Sequence, residues 1–185
     1  MLVGVIGNKG SGKDTFSHPF IQRGFLVLKM ADPLKGMLWS MYRSAGLEGE
    51  IIQRKIDGDL KQTPCEVLRG ATPRLAMQSL GTEWGRMIDP DHLIWSEIFR
   101  HKAEELLIKG VDVICTDIRF EHEHRVIEDL GGELVRVHRP GLEGNDPHIS
   151  EMEMNRLEAS ETFYNTGSIE QLHAKAVTYI QERSR

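Results

Sequence analysis

Apolar residues fall along this chain in short runs separated by longer amphipathic stretches. Leu2-Val3-Gly4-Val5-Ile6-Gly7 is almost unbroken, as a strand reads when both of its faces are covered. Phe25–Met30, Val111–Thr116 and Glu133–His138 read as further strands, the last through Leu134, Val135 and Val137. The stretches between them carry helical signals. One helix follows the first strand to near Arg23. A second starts at Pro33, with Asp32 as its N-cap, and runs to about Ala45. Thr72-Pro73, a cap followed by proline, opens a third that ends at Gly81. A longer one covers about 91–109, where Ile94, Trp95, Ile98, Phe99, Leu106 and Leu107 recur with helical spacing before Gly110. Further helices lead to Leu130 and from Ser168 to near Arg183. Residues 46–71 are rich in charge and interrupted by Gly46, Gly49, Gly58, Pro64 and Gly70, which predicts a mobile, partly helical insertion. Strands alternating with helices predict an α/β fold with a parallel sheet, whose ligands bind at the carboxyl ends of the strands.

Composition narrows the class. A length of 185 residues suits one domain with a sizeable core, and 39% hydrophobic with 28% charged residues is ordinary for a soluble protein. No stretch approaches the ~20 apolar residues of a membrane span. No basic-then-apolar leader is expected, because the first residues read directly as a core strand. Cys65 and Cys115 suggest no disulfide framework, and Cys115 lies in an apolar run, so a reducing, cytoplasmic setting is expected. The formal charge of −5 argues against a broad nucleic-acid surface while leaving room for a local basic pocket.

The first strand leads into Asn8-Lys9-Gly10-Ser11-Gly12-Lys13-Asp14-Thr15. Gly7, Gly12 and Lys13 fit the spacing of a phosphate-binding loop between a strand and a helix. Glycines let backbone N–H groups turn inward around a phosphate, the helix adds the positive end of its dipole, and Lys13 supplies a mobile charge for the outer phosphates. Serine or threonine usually follows that lysine and binds magnesium. Here Asp14 follows, and Thr15 comes one later. Either Asp14 meets the metal, directly or through water, or Thr15 takes the hydroxyl role.

Other groups cluster at predicted strand and helix ends. Asp117 ends an apolar strand and either serves the site, ordering magnesium-bound water, accepting from a sugar hydroxyl or holding Arg119, or caps the next helix. Arg119 suits multi-oxygen phosphate recognition, or pairs with Glu123 one turn away. Arg74, Gln78 and Thr82 are spaced by four and share one helical stripe. The stripe either binds a phosphate and a nucleobase edge or is a plain polar face; Gly81 and Thr82 favour a ligand-contacting turn. Lys9 is poised between donor and acceptor phosphates. Lys35 lies on an amphipathic helix, where a lysine is usually solvated. Tyr164-Asn165-Thr166-Gly167-Ser168 either lies against an adenine or is a junction capped by Ser168. His122-Glu123-His124 has the wrong spacing for a zinc pair on one helix face and is read as a solvated face.

Taken together, these stretches resemble the bacteriophage deoxynucleoside monophosphate kinases. The resemblance rests on Gly12–Thr15, Ala31–Lys35, Arg74–Thr82, Asp117–Arg119 with His122-Glu123, Val137–Gly141, Asn145–Glu151 and Asn165–Leu172, in family order over nearly the whole chain. It implies a three-layer P-loop kinase fold over residues 1–185, with a mostly helical monophosphate-binding insertion at about 31–109. It implies transfer of the ATP γ-phosphoryl group to a deoxynucleoside 5′-monophosphate, with Mg2+. By it Gly10, Ser11, Gly12, Lys13, Asp14, Thr15 and Arg139 hold ATP, with Asp14 and Thr15 at the metal. Lys13, Arg119 and Asp117 carry the catalysis. Lys9, Leu34, Lys35, Arg74, Gln78, Gly81, Thr82 and Glu123 face the monophosphate. A homodimer is implied as well. The rival readings are another small-molecule P-loop kinase, such as a dephospho-coenzyme A or phosphomevalonate kinase, and a non-catalytic nucleotide-binding module. The Arg74–Thr82 helix opposes the first, and the density of basic groups beyond the loop opposes the second.

Overall fold

The structure, a computed structural model, describes residues 1–89, 91, 93–142 and 149–183. The Asn145–His148 part of the family-like motif lies outside the described residues. The chain divides into two compact units: Met1–Met30 with Ser96–Arg185, and Ala31–Trp95.

The first unit is built on a parallel sheet of β1 (Leu2–Ile6), β2 (Leu26–Val27), β3 (Val113–Cys115), β4 (Glu133–His138) and β5 (Glu161–Tyr164), in the order β2-β3-β1-β4-β5. β1 is central, pairing Gly4 with Cys115 of β3 and with Leu134 of β4. Its residues alternate between two cores. Val3 and Val5 face Phe16 and Phe20 of α1 (Lys13–Gln22) and Leu172, Ala176, Tyr179 and Ile180 of α9 (Ile169–Arg183). Leu2 and Ile6 join Phe99, Ala103 and Leu106 of α6 (Ile94–Ile108), Val126 and Ile127 of α7 (Glu121–Asp129), and Met154 of α8 (Ile149–Arg156). Helices therefore cover both faces, which is why the strands read as continuous apolar runs. At Gly4 a Cβ would collide with Ile118 and crowd Leu134, so glycine lets the second layer close on the central strand.

The second unit holds α2 (Asp32–Ser44), α3 (Gly49–Ile56), two short 3-10 turns, Asp59–Gln62 and Glu66–Leu68, and α4 (Pro73–Ser79). Leu38 and Tyr42 of α2, Ile52 and Ile56 of α3, Cys65 and Met77 of α4 form its core. The Thr72 hydroxyl accepts from the Leu75 amide at 3.1 Å, as the cap signal predicts.

Several expectations change. The second strand shrinks from 25–30 to Leu26–Val27 at the sheet edge. The N-cap of α2 is Ala31, with Asp32 and Pro33 already inside the first turn. The helix from Pro73 does not stop at Gly81. It widens into a π turn, Leu80–Trp84, and resumes as α5 (Gly85–Ile88). Residues 46–71, read as irregular, bury Ile52, Ile56 and Cys65. β5 and α8 went unread. Among the described residues no helix is long and apolar enough to cross a membrane.

Phe16 anchors the first core layer, packing on Phe20 with ring centroids 5.6 Å apart and on Phe163 of β5 at 4.7 Å. Phe16→Ala should cost about 3–5 kcal/mol of stability, read from the denaturant midpoint. A loss below about 1 kcal/mol would show that this layer collapses readily around the void.

Candidate active site

The loop between β1 and α1 is shaped by glycine. Gly7, Gly10 and Gly12 have φ of 151°, 83° and 101°. These values lie where a side chain is strained. Gly7 is also crowded: a Cβ there would run into the Val137 carbonyl of β4 and stand 2.7 Å from Ser11 Oγ. Gly12 is the left-handed N-cap of α1, so the loop delivers its amides to a helix N-terminus. Lys13 Nζ donates to the Gly7 carbonyl and to the Asn8 carbonyl at 3.1 Å, folding back over the loop. Asn8 Oδ1 and Ser11 Oγ are buried with no hydrogen-bond partner. Buried polar atoms of this kind call for a ligand or ordered water.

Two neighbouring segments brace the loop. The Asn165 side-chain amide donates to the Ser11 carbonyl at 2.9 Å, and its own backbone amide donates to His138 at 2.7 Å. Asn8 Nδ2 donates to the Leu142 carbonyl at 3.0 Å, in a turn closed by the Leu142 amide on the Arg139 carbonyl. Arg139 itself is exposed on that turn. Beyond Asn165 lies a cavity of about 370 Å³ lined by Tyr164, Thr166, Gly167, Gln171 and Lys175. Ser168 caps α9, its hydroxyl accepting from the Gln171 amide at 3.3 Å. Lys9 and Asp14 are exposed, and Thr15 is half-buried in the first turn of α1. The Asp14 carboxylate and the Thr15 hydroxyl are the oxygen ligands that magnesium takes.

Asp117 stands two residues beyond the Gly4–Cys115 pairing, beside the exit of β1. It does not cap α7. Its carboxylate accepts from the Met30 amide at 3.0 Å and from the Cys115 thiol at 3.4 Å. Burial, then the Asp117 charge, pushes that thiol up, so Cys115 stays protonated and donates. Arg119 is exposed.

The solvated reading of His122-Glu123-His124 is wrong. Glu123 and His124 are each only 7% exposed, because α7 turns this side toward the sheet. Glu123 Oε2 accepts the Arg119 amide at 2.7 Å and the Phe120 amide at 3.2 Å. It thus holds the backbone between the strand end and the helix. Burial, reinforced by the Asp117 charge, raises its carboxyl to about 8.

In the second unit, Arg74, Gln78 and Thr82 are exposed. Lys35 is not a freely solvated lysine, for its ammonium pairs with Asp57 at 2.7 Å. Leu34 is buried, with Cδ1 3.2 Å from where a Cβ at Gly81 would lie. The predicted residues therefore fall into two sets. Lys9 to Thr15, Asp117, Arg119, Glu123 and Arg139 belong to the first unit, and Leu34, Lys35, Arg74, Gln78, Gly81 and Thr82 to the second. Sequence reasoning missed the Asn8–Leu142 and Met30–Asp117 contacts, which join chain-distant segments with no local signal.

A family model, deoxynucleotide monophosphate kinase, matches residues 65–176. A protein of Acanthamoeba polyphaga mimivirus, assigned as a deoxynucleotide monophosphate kinase, is 30% identical over 100% of this chain and 98% of its own length. The chain belongs to the deoxynucleotide monophosphate kinase family. It is a kinase. The deoxynucleotide monophosphate kinase of Enterobacteria phage T4 is 31% identical over 55% of this chain, which spans 42% of that protein. A sugar kinase from Janibacter sp. HTCC2649 shares the fold, with a TM-score of 0.51 and 18% identity over 97% of this chain and 94% of its own. This chain thus has the P-loop kinase fold.

The raised Glu123 carboxyl has a measurable sign. Its folded value of about 8 exceeds the ordinary 4.5, so over this interval the folded chain holds a proton that the unfolded chain has lost. Its contribution is fully present below the lower value and is lost as pH rises through the upper one. Glu123→Gln keeps an acceptor oxygen without the charge. Between about pH 5 and about pH 8.5, the parent chain should lose melting temperature relative to that variant. Parallel pH curves would contradict the raised carboxyl.

Proposed function

We propose that this kinase transfers the γ-phosphoryl group of ATP to a deoxynucleoside 5′-monophosphate, with the donor on the glycine loop of the first unit and the acceptor on the α4 helix of the second. The observation that carries the donor half is the loop itself. Its left-handed glycines, helix N-terminus and orphaned Ser11 hydroxyl make a cradle for anionic oxygens. Family membership supports the acceptor half.

Phosphoryl transfer leaves the protein little covalent chemistry to perform, so its residues position and neutralise charge. Lys13 leaves the Gly7 and Asn8 carbonyls to meet the outer phosphates of ATP. Gly10 and Gly12 offer backbone amides, Ser11, whose own amide is held by the Asn8 carbonyl, offers its hydroxyl, and Arg139 reaches the donor from its turn. Asp14 and Thr15 would hold Mg2+, which supplies charge neutralisation between phosphate oxygens. Asp117 keeps the strand end in place, and Arg119 spreads its guanidinium across the transferring group. Arg74 takes the acceptor phosphate, while Gln78, with both a donor and an acceptor, reads a base edge. Leu34, Lys35, Gly81 and Thr82 complete the acceptor side of the second unit, with Lys35 oriented by Asp57, while Lys9 meets phosphate from the glycine loop of the first. The Glu123 carboxyl supports the Arg119 backbone.

A coupled assay of ADP formation, with ATP and each deoxynucleoside monophosphate in turn, tests the reading. Turnover with at least one monophosphate is expected; none with any of them, and phosphorylation of an unrelated small molecule instead, would overturn it. Arg119 offers a sharper check. A guanidinium can bridge two anionic groups and an ammonium cannot reproduce that fork. Arg119→Lys should therefore lower kcat and kcat/KM by similar factors, about 10²-fold, with equilibrium binding of both nucleotides little changed. Full turnover at saturation with weakened monophosphate binding would make Arg119 a ground-state anchor.

A further inference from the structure

The π turn in the second unit is held by a side chain from farther along the chain. In it the Gly85 amide reaches back five residues to the Leu80 carbonyl. The next carbonyl, that of Gly81, accepts the indole Nε1–H of Trp95 at 3.0 Å. The indole comes this close because residue 85 is glycine: a Cβ there would stand 2.8 Å from Nε1. Trp84, the last residue of the turn, lies against Trp95 with ring centroids 5.6 Å apart. Trp95 is aimed in turn by Asp89, whose carboxylate gathers the Leu93 and Ile94 amides at 2.6 and 2.8 Å at the start of α6.

A helix built for stability alone would carry alanine at positions 81 and 85 and would stay in α register. This one gives up both. Glycine at 81 admits Leu34 on one side, and glycine at 85 admits the indole on the other. Single π turns recur where a helix must re-aim a side chain. The wider turn rotates less per residue than an α turn, so Thr82 stays nearer the line through Arg74 and Gln78. We infer that Trp95 is a positioning residue of the acceptor pocket: its indole N–H holds the Gly81 carbonyl and so fixes the turn that presents Thr82 beside Gln78. This rests on the acceptor role proposed for Arg74, Gln78 and Thr82.

Trp95→Phe keeps a ring against Trp84 and removes the donor together with part of the indole's bulk, which the unchanged Trp95 of the Gly85→Ala variant retains. Trp95→Phe should raise KM for the monophosphate about five- to tenfold, with kcat at saturation and KM for ATP within about twofold. Gly85→Ala, which sets a methyl group against Nε1, should reproduce that shift, and the double variant should be no worse than either single one. Amide exchange across residues 80–86 should quicken in both. A lowered melting temperature with unchanged KM would reduce Trp95 to packing and overturn the inference. Gln78→Ala, run in parallel, separates the two levels. If it raises the monophosphate KM while Trp95→Phe and Gly85→Ala do not, the inference fails and the acceptor reading stands. If none of the three moves it, the acceptor reading fails and takes the inference with it.

Discussion

The narrow space at Gly7 governs the rest of the molecule. β1 is the central strand, and its exit is hemmed by the Val137 carbonyl on one side and by Ser11 on the other. Only a residue without a side chain lets the chain leave the sheet there and wind into a loop. The loop then reaches α1 through a left-handed Gly12, and the first amides of that helix are left pointing at whatever the loop encloses. The cradle is thus a packing consequence of a parallel sheet covered on both faces. The same crowding fixes its partners: Asn165, from the end of β5, and Leu142, from the turn after β4, are close enough to hold the loop carbonyl and the Asn8 side chain.

A second economy of the fold lies at the end of β3. Asp117, Glu123 and the Cys115 thiol stand close enough to perturb one another, yet each has a defined hydrogen-bond task. Asp117 holds the Met30 amide, and Glu123 holds the amides of Arg119 and Phe120. Burial, reinforced by the Asp117 charge, raises the Glu123 carboxyl to about 8, so it keeps its proton while it holds those amides. The backbone that carries Arg119 is thereby fixed by the buried Glu123 carboxyl.

Much of this was legible in the sequence, for identifiable reasons. The glycine loop, β1, β4 and α9 announce themselves through local rules: unbroken apolar runs, glycine where φ must be positive, Ser168 at a helix start. The Thr72 cap worked for the same reason. What failed was non-local. The apolar run of 25–30 suggests a six-residue strand, but it lies at the sheet edge, where Leu26 and Val27 register with β3 and Leu28 adds one last amide to the Ile114 carbonyl. Glu123 and His124 looked solvated because charge suggested exposure, whereas a carboxyl that holds two backbone amides can be buried. Gly81 looked like a helix stop because glycine so often is one. Here it is the point at which a helix widens, a role set by Leu34 and Trp95 and invisible in the residues beside it.

The central claim is that the glycine loop is a donor-phosphate cradle in which Lys13 meets developing charge, while its fold-back onto Gly7 and Asn8 adds little to stability. The direct measurement is the turnover number of Lys13→Ala at saturating ATP and monophosphate, taken together with its melting temperature. Loss of about 10²- to 10³-fold in kcat with a melting temperature close to the parent's is the predicted result. Near-parental turnover in a fully folded variant would contradict the account at its base.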